Sequence, residues 1–261
     1  MYTRYLGLVS PNIFAEYRQL RKELTGRSML IDLPSTLEKE IKFANKRSSE
    51  LEIDLKLSGR ELKKATKASC EAVRKLGKKR HRLWNEDDIL DTHFLVTQGE
   101  FGRGYRQLRA SWSGSRVSFP SPQKIPYHIL HFKDLFPIDI TNLEKSILTH
   151  FHGVRIHPFR DGNKRTFRLM QNALLYEVSM PPFIIELPQR DFYMSLFEDA
   201  RLEARDVYDS FAKYDDEDFK FKELYLGIRP AIQRFADFMA TEVNISANKI
   251  LENRPRPYNG H

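Results

Sequence analysis

The feature that most limits what this chain can fold into is a pair of helical runs broken by a polar turn. Leu143, Ile147, Leu148 and Phe151 recur at helical spacing over 140–152. Phe167, Met170, Ala173 and Leu174 do the same from about Lys164 to Val178, where "SMPP" ends the run. Between them stands "GVRIHPFRDGNKR", and its Pro158 and Gly162 rule out one continuous helix. A surface loop could be that polar but would not need Phe159. A helix could be that basic but would not open on Pro and Gly.

The rest of the chain is mostly helical in pattern. Residues 35–52 open with Ser35 and Thr36 as N-cap candidates and Glu38 placed for a capping box. A second run, 59–79, sets Leu62, Ala65, Cys70, Val73 and Leu76 on roughly one side, and a third, 86–97, begins with the acids of "NEDD". Further helices are expected over 188–206 and 222–243, and the Pro-bearing tail "NRPRPYNGH" reads as loose. Only 99–122 differs: four Gly, several Ser, and β-type residues on both sides of "SGS" predict a β-hairpin. No internal repeat or low-complexity tract appears. The expected fold is mainly α, a helical bundle with one β-hairpin.

At 261 residues and 41 % apolar content, the chain suits one large domain, or a domain with an appendage. No run of eighteen apolar residues occurs, so no bilayer-spanning segment is expected. The first twenty residues lack the apolar block of a cleaved leader. With Cys70 as the one cysteine, no internal disulfide can form, and the expected compartment is the cytoplasm, with a secreted effector or toxin as the alternative. The net charge of +8 is concentrated: 56–82 holds 11 Lys/Arg against 2 Asp/Glu, leaving the remainder nearly neutral. That stretch is either a solvated helix face or a docking patch for an acidic protein, a membrane surface or nucleic acid. No aromatic residue is interleaved there to stack on bases, which favours the first reading.

The broken stretch carries the chemistry. His157 is a side chain suited to general-base work near neutral pH. Phe159 can enter the core and pin the loop. Asp161 offers a hard oxygen ligand to a divalent ion such as Mg2+. Gly162 and Asn163 precede a helix start, so unbonded N–H groups and the positive helix end make an anion site. Lys164, Arg165 and Arg168 add cations to the first turn, where the helix dipole disfavours them unless an anion binds. Together these suit phosphoryl or nucleotidyl transfer. Each part also has an ordinary reading: a packed histidine, an Asp-Gly turn, solvent-facing cations. A metal cluster of His150, His152 and His157 is disfavoured, since two positions two apart on a helix point about 200° away from each other.

"HPFRDGNKR" resembles, at all nine positions, the signature HPFx(D/E)GN(G/K)R of the Fic family. The segment 99–122 is similar to that family's flap, "KIP" at 124–126 is also similar, and 143–177 looks like its helix–loop–helix core. The likeness covers about 40–210. It implies a Fic-type helical bundle with a 1–34 extension, a 35–210 core, a 211–252 helical segment and a 253–261 tail. It further implies AMP transfer from ATP to a Ser, Thr or Tyr hydroxyl of a target protein. His157 would be the base, Asp161 the Mg2+ ligand, and Gly162 and Asn163 the anion hole. Arg165 would bind distal phosphates, Phe159 would anchor the loop, and the flap would clamp the target by strand-like pairing. Many AMP-transferring members have Gly where this chain has Lys164; Lys stands there in the Doc branch, which moves a terminal phosphate. Pro158 and Gly162 fit the AMP-transferring pattern. A decayed, non-catalytic binding module is the remaining rival, against which the complete signature argues.

"RSSELE" resembles the family's inhibitory helix motif (S/T)xxxE(G/N), with Ser48 and Glu52 at its spacing and Ile53 in place of Gly or Asn. The resemblance implies that Glu52 pairs with Arg168 and blocks the γ-phosphate. A solvated helix acid is the alternative. An acidic partner at 56–82 and self-association both remain open.

Overall fold

A computed structural model describes residues 4–26, 33–50, 59–112, 115–210 and 225–253 of the chain. Its long helices are α1 (Pro11–Gly26), α2 (Leu33–Glu50), α3 (Gly59–Lys78), α4 (Glu86–Val96), α5 (Ile125–Phe132), α6 (Asn142–Ile156), α7 (Asn163–Glu177), α8 (Arg190–Ser210) and α9 (Pro230–Glu252). Among the described residues no helix is long and apolar enough to cross a membrane. Among the described residues the one isolated β-bridge joins Arg4 to Ile140.

The centre is α6. Every residue from Leu143 to Ile156 is buried, which requires partners on all sides. α7 lies along it, α5 and α9 pack on it as well, and α9 in turn carries α8 and α1. α3 and α4 back α7 from the other side. Close approach of α6 to α7 depends on Gly153, because a Cβ built there would lie 2.1 Å from Phe167 Cδ1.

Polar residues fix the ends of α6. Thr141 caps it, its Oγ1 accepting from Glu144 N. The fully buried Glu144 carboxylate accepts the backbone N–H groups of Leu6, Gly7 and Leu8 at 2.9–3.1 Å and the Thr141 hydroxyl at 2.7 Å. A buried carboxylate needs such donors. The N-terminal strip is thereby pinned to the central helix, and α1, which the sequence did not suggest, is packed on α9.

Helix boundaries mostly fall within two residues of their sequence expectations, although α6 runs on to Ile156 and α8 to Ser210. Two regions differ further. The C-terminal helix begins at Pro230, whose fixed φ suits a first turn, and continues to Glu252. The hairpin expected over 99–122 is not found: among its described residues, which omit 113 and 114, none is in a strand. The physical reason lies in where the segment's hydrogen bonds go. Arg106 N donates to Pro158 O, and Ser115 Oγ and Arg116 N donate to the Glu198 carboxylate of α8. Bonds that could have paired two limbs with each other hold the segment to the motif loop and to α8.

Candidate active site

α6 ends in a backbone reversal at His157, which has left-handed dihedrals (φ 51°, ψ 55°). A non-glycine residue there carries strain of about 1–3 kcal/mol, the kind that the surrounding structure must enforce. Arg106 supplies part of the enforcement. Its Nε donates to His157 O at 2.7 Å, its Nη1 to Leu108 O at 2.8 Å and its Nη2 to Pro120 O at 2.6 Å. One buried guanidinium thus ties the motif loop to both limbs of the 99–122 segment.

Inside the loop, Asn163 acts as a clamp. Its Oδ1 accepts from Phe159 N at 2.9 Å and its Nδ2 donates to Phe159 O at 2.8 Å. The Asn163 side chain therefore shapes the loop, which leaves only its backbone N–H for an anion. Phe159 is fully buried, as an anchor should be, and stacks on His93 at 3.7 Å between ring centres. His93 Nε2 donates to Asp161 O at 3.1 Å; a carbonyl can only accept, so this nitrogen carries the proton. Burial pushes the His93 pKa down and keeps the ring neutral.

Gly162 is the residue before α7 and sits at φ 77°, with a built Cβ only 2.9 Å from Thr97 Cγ2. Glycine is required there on both counts. The first intrahelical bond of α7 is Thr166 N to Gly162 O, so the amides of Asn163, Lys164 and Arg165 fall ahead of the ladder, as an anion site needs. Arg168 is buried on the second turn. Asp161 presents a half-exposed carboxylate, but its Oδ2 accepts from Arg165 Nη2 at 2.7 Å. The expected metal ligand and the expected phosphate cation are thus paired with each other.

His157 is covered from the 99–122 segment. Phe119 stacks on its ring at 4.2 Å and Trp112 meets it edge-on at 5.7 Å. Lys164 Nζ lies 4.6 Å from the Trp112 ring centre, a cation–π contact that fastens the cover to the first turn of α7. Burial, then Arg106, hold the His157 pKa down at about 3. Its folded value lies below the ordinary value of about 6.5, so the neutral ring's contribution to stability is complete above that pH. It is lost as pH falls toward 3. We expect the His157 ring proton resonance to stay in its neutral form across roughly pH 5–7, and Phe119→Ala to raise its pKa toward 6.5. An ordinary titration in the unsubstituted protein would show that the aromatic cover is absent in solution.

The structure brings His157, Phe159, Asp161, Gly162, Asn163, Lys164, Arg165 and Arg168 into one loop and the helix it starts. Ser48 falls on α2, and Glu52 lies outside the described residues. The other two histidines of the α6 run face different partners: His150 Nε2 meets Tyr193 Oη at 2.7 Å, and His152 Nε2 meets Tyr225 O at 3.2 Å. Among the described residues no group of three His, Cys, Asp or Glu could hold a metal. Sequence reasoning missed Arg106, His93, Trp112 and Phe119. The two aromatics and Arg106 were visible as bulky residues in a Gly/Ser-rich segment; His93 left no signal in its own helix.

Comparison with known proteins agrees with the geometry. The sequence model of the Fic/DOC family matches residues 83–175. A protein adenylyltransferase Fic from Nematostella vectensis is 35 % identical over 116 residues, covering 41 % of this chain and 26 % of the relative. Its counterpart from Drosophila willistoni is 36 % identical over 117 residues, 41 % of this chain and 22 % of the relative. The matches thus span about a quarter of those proteins. Among solved structures, a Fic domain containing signaling protein from Bacteroides thetaiotaomicron aligns with a TM-score of 0.69 at 17 % identity, over 94 % of this chain and 99 % of that one. Fic-1 from C. elegans aligns with a TM-score of 0.55 at 20 % identity, over 92 % and 71 %. The nine-residue signature, set at the turn between α6 and α7, lies inside the stretch 83–175 that matches the Fic/DOC family, and the fold around it is shared with these Fic structures.

Proposed function

We propose that this chain transfers AMP from Mg-ATP to a serine, threonine or tyrosine hydroxyl of a protein. The observation that carries the reading is the six-residue turn 157–162, which holds an imidazole at one end and the open amides of α7 at the other. His157 takes the proton of the attacking hydroxyl. The new bond forms from that oxygen to the α-phosphorus, and the bond from the α-phosphorus to the bridging oxygen breaks, releasing pyrophosphate. The amides of α7 and the side chains of Lys164 and Arg165 stabilise the charge on the phosphoryl oxygens.

Asp161 fits a divalent cation: it offers one half-exposed carboxylate, and Mg2+ sites in nucleotide enzymes commonly use one or two carboxylates with phosphates and water. Bound Mg2+ would neutralise charge on the phosphates. Arg165 is released from Asp161 when phosphate oxygens replace that carboxylate. Approach of a target side chain to His157 is controlled by Trp112 and Phe119.

Control by Glu52 belongs to the same proposal, supported by the "RSSELE" match and by Arg168 lying one turn beyond the anion site. Incubation with ATP labelled at the α or, separately, the γ position, in the presence of lysate protein, tests the reading. Label transferred from the α position supports it; transfer from γ alone would make this a Doc-like phosphotransferase and overturn it. In the same assay Glu52→Gly should raise self-labelling. A charged hydrogen bond of roughly 1.5–3 kcal/mol would otherwise hold most molecules closed, so about a tenfold rise is expected. Equal labelling would leave Glu52 a solvated helix acid.

A further inference from the structure

Lys164 is joined at the cover over His157 by a second cation, Arg201 of α8, which belongs to no part of the signature. Arg201 is only 1 % exposed. Its guanidinium lies 4.4 Å from the Phe119 ring centre and 5.2 Å from that of Trp112. The same group is bonded to residues 115 and 117, which stand between the two rings in sequence. Its Nη1 donates to Ser115 Oγ at 3.2 Å and its Nη2 to Val117 O at 2.8 Å. A charge at that depth needs a counter-ion, and Glu198, one turn earlier on α8, accepts from Nη1 at 2.9 Å. Glu198 also accepts from Ser115 Oγ and Arg116 N, so the ion pair and the segment it grips form one unit.

The rings themselves meet edge-on at 5.1 Å, and Trp112 leans on Phe197 of α8 at 5.7 Å. Arg106 does a different job. Its side-chain bonds go to the carbonyl groups of residues 157, 108 and 120, which fixes the path of the backbone and not the direction of the rings. A planar guanidinium can lie against aromatic rings and fork to several acceptors at once, whereas an ammonium is a point charge without that fork.

We propose that Arg201 is the positioning residue that seats Trp112 and Phe119 on His157 and so excludes water from the imidazole. The seating does not depend on the transfer reaction; its effect on transfer rests on the reading of His157 as the base. The charged groups that bear on His157 are Arg106 from the 99–122 segment, Lys164 from α7 and Arg201 itself. All three are cations and add to burial, the largest cause, in disfavouring a protonated ring. Once the rings are unseated, the His157 pKa should rise from about 3 toward the ordinary value of about 6.5. A base whose pKa rises is lost sooner as pH falls: at about pH 5.5 only about a tenth of such a ring is neutral.

The test uses the full chain and two substitutions. Arg201→Lys keeps the charge and loses the fork, and Ser115→Ala removes one acceptor while leaving Arg201 in the core. The His157 ring protons are followed by NMR against pH, and transfer from α-labelled ATP is compared at about pH 5.5 and about pH 7.5. In the unsubstituted chain the ring should stay neutral through this range. Arg201→Lys should bring its midpoint up toward about 6.5 and lower the ratio of transfer at the two pH values by up to about tenfold. Ser115→Ala should move both in the same direction by less, and it decides alone if far-UV dichroism shows that Arg201→Lys does not fold. A ring titration in the folded variants that matches the unsubstituted chain, or an ordinary midpoint in the unsubstituted chain, would overturn the proposal. A raised ring midpoint with an unshifted transfer profile would uphold the seating and remove His157 as the base.

Discussion

His157→Ala should lower transfer by on the order of 10²–10⁴, the usual worth of a general base, while nucleotide binding changes little. The proposed phosphate contacts explain the separation. They come from α7 and its preceding glycine, and Asn163 clamps that loop through Phe159 rather than through His157. The substitution removes a ring stacked against Phe119 and edge-on to Trp112, so some loosening of the flap segment should accompany it. Arg106 holds the loop through the His157 carbonyl, which alanine retains. Single-turnover transfer and nucleotide affinity, measured on one preparation with far-UV dichroism as a fold check, separate the two effects. Turnover at the unsubstituted rate would remove His157 from the mechanism.

Among the described glycines, Gly153→Ala should be the most damaging methyl addition. On helix propensity alone, alanine in place of glycine would stabilise α6 by roughly 0.5–1 kcal/mol. Packing reverses the sign. The added Cβ would meet Phe167 Cδ1, Cγ and Cε1 at 2.1, 2.2 and 2.5 Å. The Phe167 ring has little room to yield, being fully buried and in contact with Phe132 at 5.6 Å and Phe159 at 6.3 Å. Overpacking of this kind costs about 1–3 kcal/mol and sometimes more, so a net loss of about 2 kcal/mol or greater is expected. Because Phe159 anchors the motif loop, activity should fall further than stability alone requires. Urea unfolding should show a lower midpoint with an unchanged slope. Adding Phe167→Leu should recover part of the loss, and an undiminished midpoint in the single variant would mean that α6 and α7 are not in close contact at Gly153.

Much of the helical scaffold was legible in the chain. The runs over 35–52, 59–79, 86–97 and 164–178 became α2, α3, α4 and α7 with shifts of at most two residues, because apolar spacing, caps and breakers act within a few residues of one another. α1 and α5 were not anticipated. Pro126 near the start of α5 reads as a breaker unless it is recognised as a first-turn proline.

The candidate site divides in the same way. Sequence alone determined the break after α6, the apolar Phe159 within it, and the start of α7 to within one residue of the expected Lys164, since proline, glycine and an apolar side chain impose those features locally. Tertiary structure decided what surrounds them. The Gly- and Ser-rich segment 99–122 has the local grammar of a hairpin, yet its bonds run to Pro158 and to Glu198, up to 83 residues away. The cover over His157, the Asp161–Arg165 pair and the His93 stack likewise depend on which side chains meet in space. Backbone turns are set by neighbours in sequence, so the chain specified the motif. Burial, charge and access at His157 are set by packing between distant segments, and only the folded protein decided them.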